Sequence, residues 1–190
     1  MRIALKILAV VVIGAIIGLG LTWFTVFRGA LAGGVSDGPW RTSLEAGSAN
    51  GGMMLRARVA VHGLFALNRS EAIYYTAATD SNGTALSGAC VYRIEGRDPP
   101  ARWWSITAYG GDDYLIPNAA GIYSASMHSV KRDAGGRFAV TVSKAQMPGD
   151  WIPIGDGRFS LSIRLYNPQA SVAAEPAHVA LPTIIKARCT

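Results

Sequence analysis

The chain has 190 residues, of which 50% are hydrophobic, 16% are charged and 22 are glycine. That balance excludes a disordered tail or a coiled coil, and the length allows one core but not two. Lys and Arg number 18 against 12 Asp and Glu, but Arg2, Lys6 and Arg28 flank an apolar run; without them the ratio falls to 15 against 12, a net +3 scattered over a whole domain, which argues against a nucleic-acid partner.

From Ile7 to Phe27 the chain carries no charge, and a helix of that length reaches about 31 Å, the thickness of a bilayer's hydrocarbon core. Residues 1–32 therefore read as an N-terminal transmembrane anchor. Arg2 and Lys6 precede the run and Asp37 follows Arg28 closely, so the positive-inside bias leaves the N-terminus in the cytoplasm and the remaining chain outside. Trp23, Phe24 and Phe27 fall at the outer end, at headgroup level. A cleaved signal peptide ending near Ala30-Leu31-Ala32 is the alternative; the long run and the intervening Arg28 favour an uncleaved anchor.

Residues 33–50, rich in Gly, Ser and Ala, read as a tether that docks Trp40 and Leu44. A folded domain, 51–190, follows. From Gly51 to about Leu67, Met54, Ala57, Val61, Leu64 and Phe65 recur at helical steps, with Arg56 and Arg58 off the stripe; the spacing predicts one amphipathic helix packed on a sheet. Thereafter the period is two. Strands are predicted over Ala72–Ala78, Cys90–Glu95, Arg102–Tyr109, Phe138–Ser143, Phe159–Tyr166 and Val179–Ala187. Asn82-Gly83, Gly135-Gly136 and Asp156-Gly157 supply turns between them. Such a series favours a mainly all-β fold, an antiparallel β-sandwich or jelly roll. Its core should include Leu64, Trp104, Ile106, Val140, Leu161, Ile163 and Leu165.

Several pieces occur in a recognisable order. They are Arg58-Val-Ala-Val-His-Gly-Leu-Phe-Ala-Leu-Asn68, Glu71-Ala-Ile-Tyr-Tyr-Thr, Thr79-Asp-Ser-Asn-Gly-Thr-Ala-Leu-Ser-Gly88, Pro99-Pro100, Trp103-Trp-Ser-Ile-Thr-Ala-Tyr109 and Trp151-Ile-Pro-Ile-Gly-Asp-Gly-Arg-Phe-Ser-Leu-Ser-Ile-Arg-Leu-Tyr-Asn-Pro168. In this order the chain resembles the bacterial family called domain of unknown function 1214. The resemblance implies a jelly-roll sandwich, a bacterial host and, with the anchor, a single-pass inner-membrane protein whose domain lies on the periplasmic side. It implies no activity. It also implies a partner: the family's domain is commonly joined to another sandwich, domain of unknown function 1254, so a separately encoded companion of that kind, or a second copy of this chain, is expected. The chain departs from the family pattern at Asp150, at Asn167 and over Asn118–Tyr123.

No nucleophile elbow, phosphate loop, His-Glu-x-x-His or Cys-x-x-Cys is present. No metal or cofactor site is expected, because His62, His128 and His178 lack ligand spacing. Ser126 and His128, two apart, would share a strand face as nucleophile and base, a pairing that chance supplies freely. Asp112-Asp113 after Gly110-Gly111 suits a cation or a sugar hydroxyl at a sandwich rim, or simply makes a turn. Trp103 and Trp104 must point to opposite faces; an exposed one near Tyr109 or Trp151 could stack on a sugar or lipid, whereas core packing is the readier explanation of the tryptophans. Cys90 and Cys189 permit one disulfide in an exported domain, or remain a buried thiol and a frayed end. Candidate ligand-binding residues are thus Trp103, Trp104, Tyr109, Asp112, Asp113, His128 and Trp151. The leading expectation is a membrane-anchored binding or assembly module; the alternative is an envelope hydrolase or lyase using Asp112, Asp113 and His128.

Overall fold

Alternating side chains in the strands give each one an apolar face and a polar face, and a two-sheet sandwich results when the apolar faces meet. The computed structural model describes residues 2–27, 34–48, 50–61 and 67–189. Helix α1 (Arg2–Phe27) is followed by β1 (Val35–Asp37), β2 (Trp40–Thr42), α2 (Met53–Val61), β3 (Ala72–Ala77), β4 (Cys90–Arg97), β5 (Ala101–Gly110) and β6 (Ser124–Ser126). Then come β7 (Arg137–Ser143), β8 (Trp151–Pro153), β9 (Phe159–Pro168), α3 (Ala170–Ala174) and β10 (Thr183–Cys189). One sheet has the order β1-β2-β3-β9-β5-β6 and the other β10-β4-β7-β8. All pairings are antiparallel except β7 with β8. The fold is an antiparallel β-sandwich preceded by an apolar helix.

Five of the six longer strands lie where alternation places them; the last, β10, starts at Thr183 rather than at Val179, beyond Pro182, and runs on to Cys189. Turn glycines Gly83, Gly136 and Gly157 hold φ of 82°, 72° and 86°, the left-handed region that only glycine enters at little cost. Between the sheets, Ile73, Tyr75, Trp104, Ile106, Leu161, Ile163 and Leu165 of the larger sheet meet Tyr92, Ile94, Phe138, Val140 and Val142 of the smaller one, all buried. Of the expected core only Leu64 lies outside the described residues. Both tyrosine hydroxyls that enter this core are satisfied: that of Tyr75 donates to Pro176 O at 3.0 Å, and that of Tyr92 accepts from Ser87 N at 2.9 Å.

The segment read as a tether contributes a strand pair to the larger sheet. Trp40 on β2 is buried and donates its indole N–H to Pro182 O at 2.7 Å, and Asp37 Oδ2 accepts from Val179 N at 3.0 Å. β1 and β2 thereby clasp the segment leading into β10. At the far end of β10, Cys189 pairs with Cys90 in register and the two form a disulfide spanning 99 residues of sequence. Helix α2 differs from its expected place. No residue of Met53–Val61 is buried, and the neighbour it meets is α1, where Thr25 Oγ1 lies 3.7 Å from Met54 Sδ. Its described apolar stripe, Met54, Ala57 and Val61, is too thin to cover a sheet face.

Gly88 closes one end of the sandwich. Its N–H donates to Gly157 O at 2.7 Å, and a Cβ there would overlap the carbonyl oxygen of Gly155, a backbone atom with no side-chain freedom to retreat. Gly88→Ala should therefore cost about 1 to 3 kcal/mol, read as a lower urea midpoint with an unchanged slope; an unshifted midpoint would refute the close approach.

Candidate functional site

The sequence candidates disperse over the sandwich. Trp104 is fully buried and stacks on Phe138 with centroids 4.7 Å apart, so it belongs to the core. Trp103, its neighbour, points outward and packs on Tyr166 at 5.2 Å. Trp151 projects from the outer side of the other sheet, donating to Ser143 O and Oγ at 3.1 and 3.0 Å. Asp112 accepts from Tyr114 N at 3.1 Å, and Asp113 holds φ of 65°, so both serve the turn after β5. Asp112, Tyr114, Leu115, Arg158 and Phe159 line an open recess of about 250 Å³ at that rim.

His128 does not share a strand face with Ser126. β6 ends at Ser126, and His128 sits exposed in the turn beyond, where Ser129 Oγ accepts from Ser126 N at 2.8 Å. Met127 N donates to Trp104 O, placing this turn by the start of β5, whereas Asp112 follows its end. Six strand residues, about 20 Å, separate them. Asp112, Asp113 and His128 are therefore not brought together, and among the described residues no group of three His, Cys, Asp or Glu could hold a metal.

What the fold does assemble is the outer face of the six-stranded sheet. Pairing of β9 with β3 and β5 sets Tyr74, Arg164 and Ser105 in one row, Thr76, Ser162 and Thr107 in the next, and Ser160 beside Tyr109. β2 adds Arg41 opposite Thr76, and β6 adds Ser126 and Ser124 opposite Ser105 and Thr107. Arg164 lies along the sheet, donating to Thr107 Oγ1 at 3.0 Å and to the Tyr109 hydroxyl, with its guanidinium carbon 5.8 Å from the Tyr74 ring centroid and 5.3 Å from that of Tyr109. Beneath it Ser105, Thr107 and Ser162 are each only 6% exposed, and Ser162 shares a 3.1 Å hydrogen bond with Thr76. Burial raises the Tyr74 phenol above its ordinary pKa, so the ring beside Arg164 is neutral. The result is a hydroxyl floor crossed by a half-buried cation and edged by tyrosines and Trp103. Of the sequence candidates, Trp103 and Tyr109 belong to it; Tyr74, Arg164 and Tyr166 are its further members. The signal for them was the polar phase of the strands, which sequence reading assigns to solvent.

Residues 71–170 match the family described as protein of unknown function (DUF1214). Among solved structures, the VPA0106 protein from Vibrio parahaemolyticus is 21% identical with a TM-score of 0.61, covering 73% of this chain and 36% of that one. An uncharacterised protein from Burkholderia cenocepacia is 17% identical with a TM-score of 0.45, over 63% of this chain and 30% of that one. This chain thus spans about a third of the length of those solved chains, and the Vibrio likeness is one of fold. No curated protein matches.

Trp104 owes its orientation to one carboxylate. Asp98 Oδ1 accepts from its indole Nε1 at 2.9 Å and from Arg132 at 2.7 Å, while Asp98 Oδ2 accepts from Arg132 Nε at 3.0 Å. The Arg132 hydrogen bonds, seconded by Trp104 against a partial desolvation cost, hold Asp98 below its usual carboxylate pKa. A lowered folded-state pKa contributes stability above the unfolded value, about 3.9, and loses it as pH falls through the folded value. Asp98→Asn should cost about 1 kcal/mol at pH 7, and the gap from wild type should shrink by pH 3. Urea titrations at both pH values check this; a gap equal at both would rule out the ionic role.

Proposed function

The chain belongs to the DUF1214 family, and on that premise we propose that it is a membrane-anchored β-sandwich, held on the periplasmic side of a bacterial inner membrane, that acts as a binding or assembly module. The observation that carries the reading is the outer face of the six-stranded sheet, where a half-buried arginine, aromatic rings and hydroxyls meet with no reactive triad beside them among the described residues. Binding needs such a surface, whereas hydrolysis needs convergent acids and bases.

Two further features support the location. α1 is the one helix among the described residues long and apolar enough to cross a membrane, and its Thr22 and Thr25 hydroxyls bond back to Gly18 O and Leu21 O at 2.8 and 2.9 Å, which removes their polarity from lipid. The Cys90–Cys189 disulfide suits an oxidising compartment. Protease added to spheroplasts should digest the sandwich and leave a membrane-bound N-terminal fragment. Protection of the sandwich would defeat the topology, and a mature N-terminus near Gly33 would defeat the uncleaved anchor.

The partner on this reading is a separately encoded protein resembling domain of unknown function 1254, or a second copy of this chain. The solved Vibrio chain extends far beyond the matched part, and inter-domain faces typically bury about 600 to 1,500 Å². Confinement to one bilayer raises the effective concentration of two anchored partners. Crosslinking in intact membranes should recover the chain with a companion or with itself; recovery only as an isolated monomer would reject the pairing.

A further inference from the structure

The five strands β2, β3, β9, β5 and β6 contain Arg41, Arg102 and Arg164 but no Asp or Glu. On their outer face Arg164 sits half-buried, its hydrogen bonds going to two neutral hydroxyls, those of Thr107 and Tyr109. Its register partners, Tyr74 and Ser105, are also neutral, and among the described residues no carboxylate lies within ion-pair distance of it. The other sheet is built differently: there Arg93 pairs with Glu95, and nearby Arg132 pairs with Asp98. A guanidinium has five donors in a planar fork, so Arg164 keeps donors for a ligand in a setting where water is partly excluded. Arg41 stands two strands away on the same face, exposed, on the order of 10 Å distant along the sheet.

Resting on the reading of this face as a binding surface, we propose that it takes an acidic glycan, a chain of sugars bearing carboxylates. One carboxylate meets the free edge of Arg164 and another meets Arg41. The apolar faces of the sugar rings lie on the side chains of Trp103, Tyr109 and Tyr166, as aromatic rings suit ligands that are apolar on one side and polar on the other. Their hydroxyls exchange hydrogen bonds with the accessible serines and threonines of the sheet. An open face rather than an enclosed cavity suits an extended chain. The accessible hydroxyls of Thr76, Ser124, Ser126 and Ser160 and the four aromatic rings favour sugar over a bare phosphate, which would call only on the cations.

Calorimetric titration of the full chain in neutral detergent micelles tests the proposal. Trigalacturonate should bind saturably, more weakly as salt is added, while uncharged maltotriose should bind about tenfold less tightly or worse, the cost of forgoing the charge-assisted hydrogen bonds. Arg164→Gln, with its fold checked by circular dichroism, should lose about tenfold in trigalacturonate affinity. Absent saturation, or full affinity in a folded Arg164→Gln variant, overturns the proposal. Binding of phosphatidylglycerol vesicles or inorganic phosphate through Arg164 without binding of trigalacturonate overturns it in favour of a phosphate ligand. Should Arg164→Gln not fold, Arg41→Gln at its exposed position replaces it: a severalfold loss supports the proposal and full affinity overturns it. Because the purified protein is used, a sandwich found facing the cytoplasm would sink the envelope reading and leave this result standing.

Discussion

Strand β9 has a neighbour on each side, β3 and β5, and a face in each world. Its inward phase, Phe159, Leu161, Ile163 and Leu165, is buried in the core, while its outward phase, Ser160, Ser162, Arg164 and Tyr166, forms the middle of the outer platform. Because successive side chains point to opposite faces, a slip of one residue would drive Arg164 between the sheets and put Leu165 in water. Burying an unpaired guanidinium costs far more than any single leucine contributes. The hydrophobic demand of the core therefore fixes the position of the platform's cation, and the surface inherits its geometry from the interior.

The sandwich was legible wherever a strand was long enough to repeat its alternation. Phe138-Ala-Val-Thr-Val-Ser and Phe159-Ser-Leu-Ser-Ile-Arg-Leu-Tyr give the observed inward residues directly, and the opposed directions of Trp103 and Trp104 follow from the same rule. β1, β2, β6 and β8 have three residues each, too few for a period to declare itself. Their place depends on tertiary partners such as Pro182 for Trp40, distant in sequence. Helix α2 shows the opposite case: the periodic stripe does form a helix over Met53–Val61, but periodicity says nothing about which neighbour the stripe will meet.

The platform was less legible, for a topological reason. Tyr74, Arg164 and Tyr109 come from β3, β9 and β5, neighbours in space in an order the chain does not follow. Each strand seen alone has an ordinary polar edge. Trp103 and Tyr109 stand out singly in the sequence because they are aromatic; Arg164 does not, since one arginine in a strand looks like a solvated charge. Only when the five strands are set side by side does the absence of carboxylates among them become visible.

The clasp between β1–β2 and the segment before β10 has a mechanical side. If α1 is fixed in a bilayer, any pull on the sandwich enters the fold at Val35. β2 touches β3 in register only through Arg41 and Thr76, so tension there would unzip the ribbon one hydrogen bond at a time. Trp40 and Asp37 divert that tension to Pro182 and Val179, hence into β10, whose far end is covalently tied to Cys90. Force then runs lengthwise along β10 against β4, loading many hydrogen bonds at once in shear. A domain tugged by its own leash is in this way gripped at the seam between its two sheets.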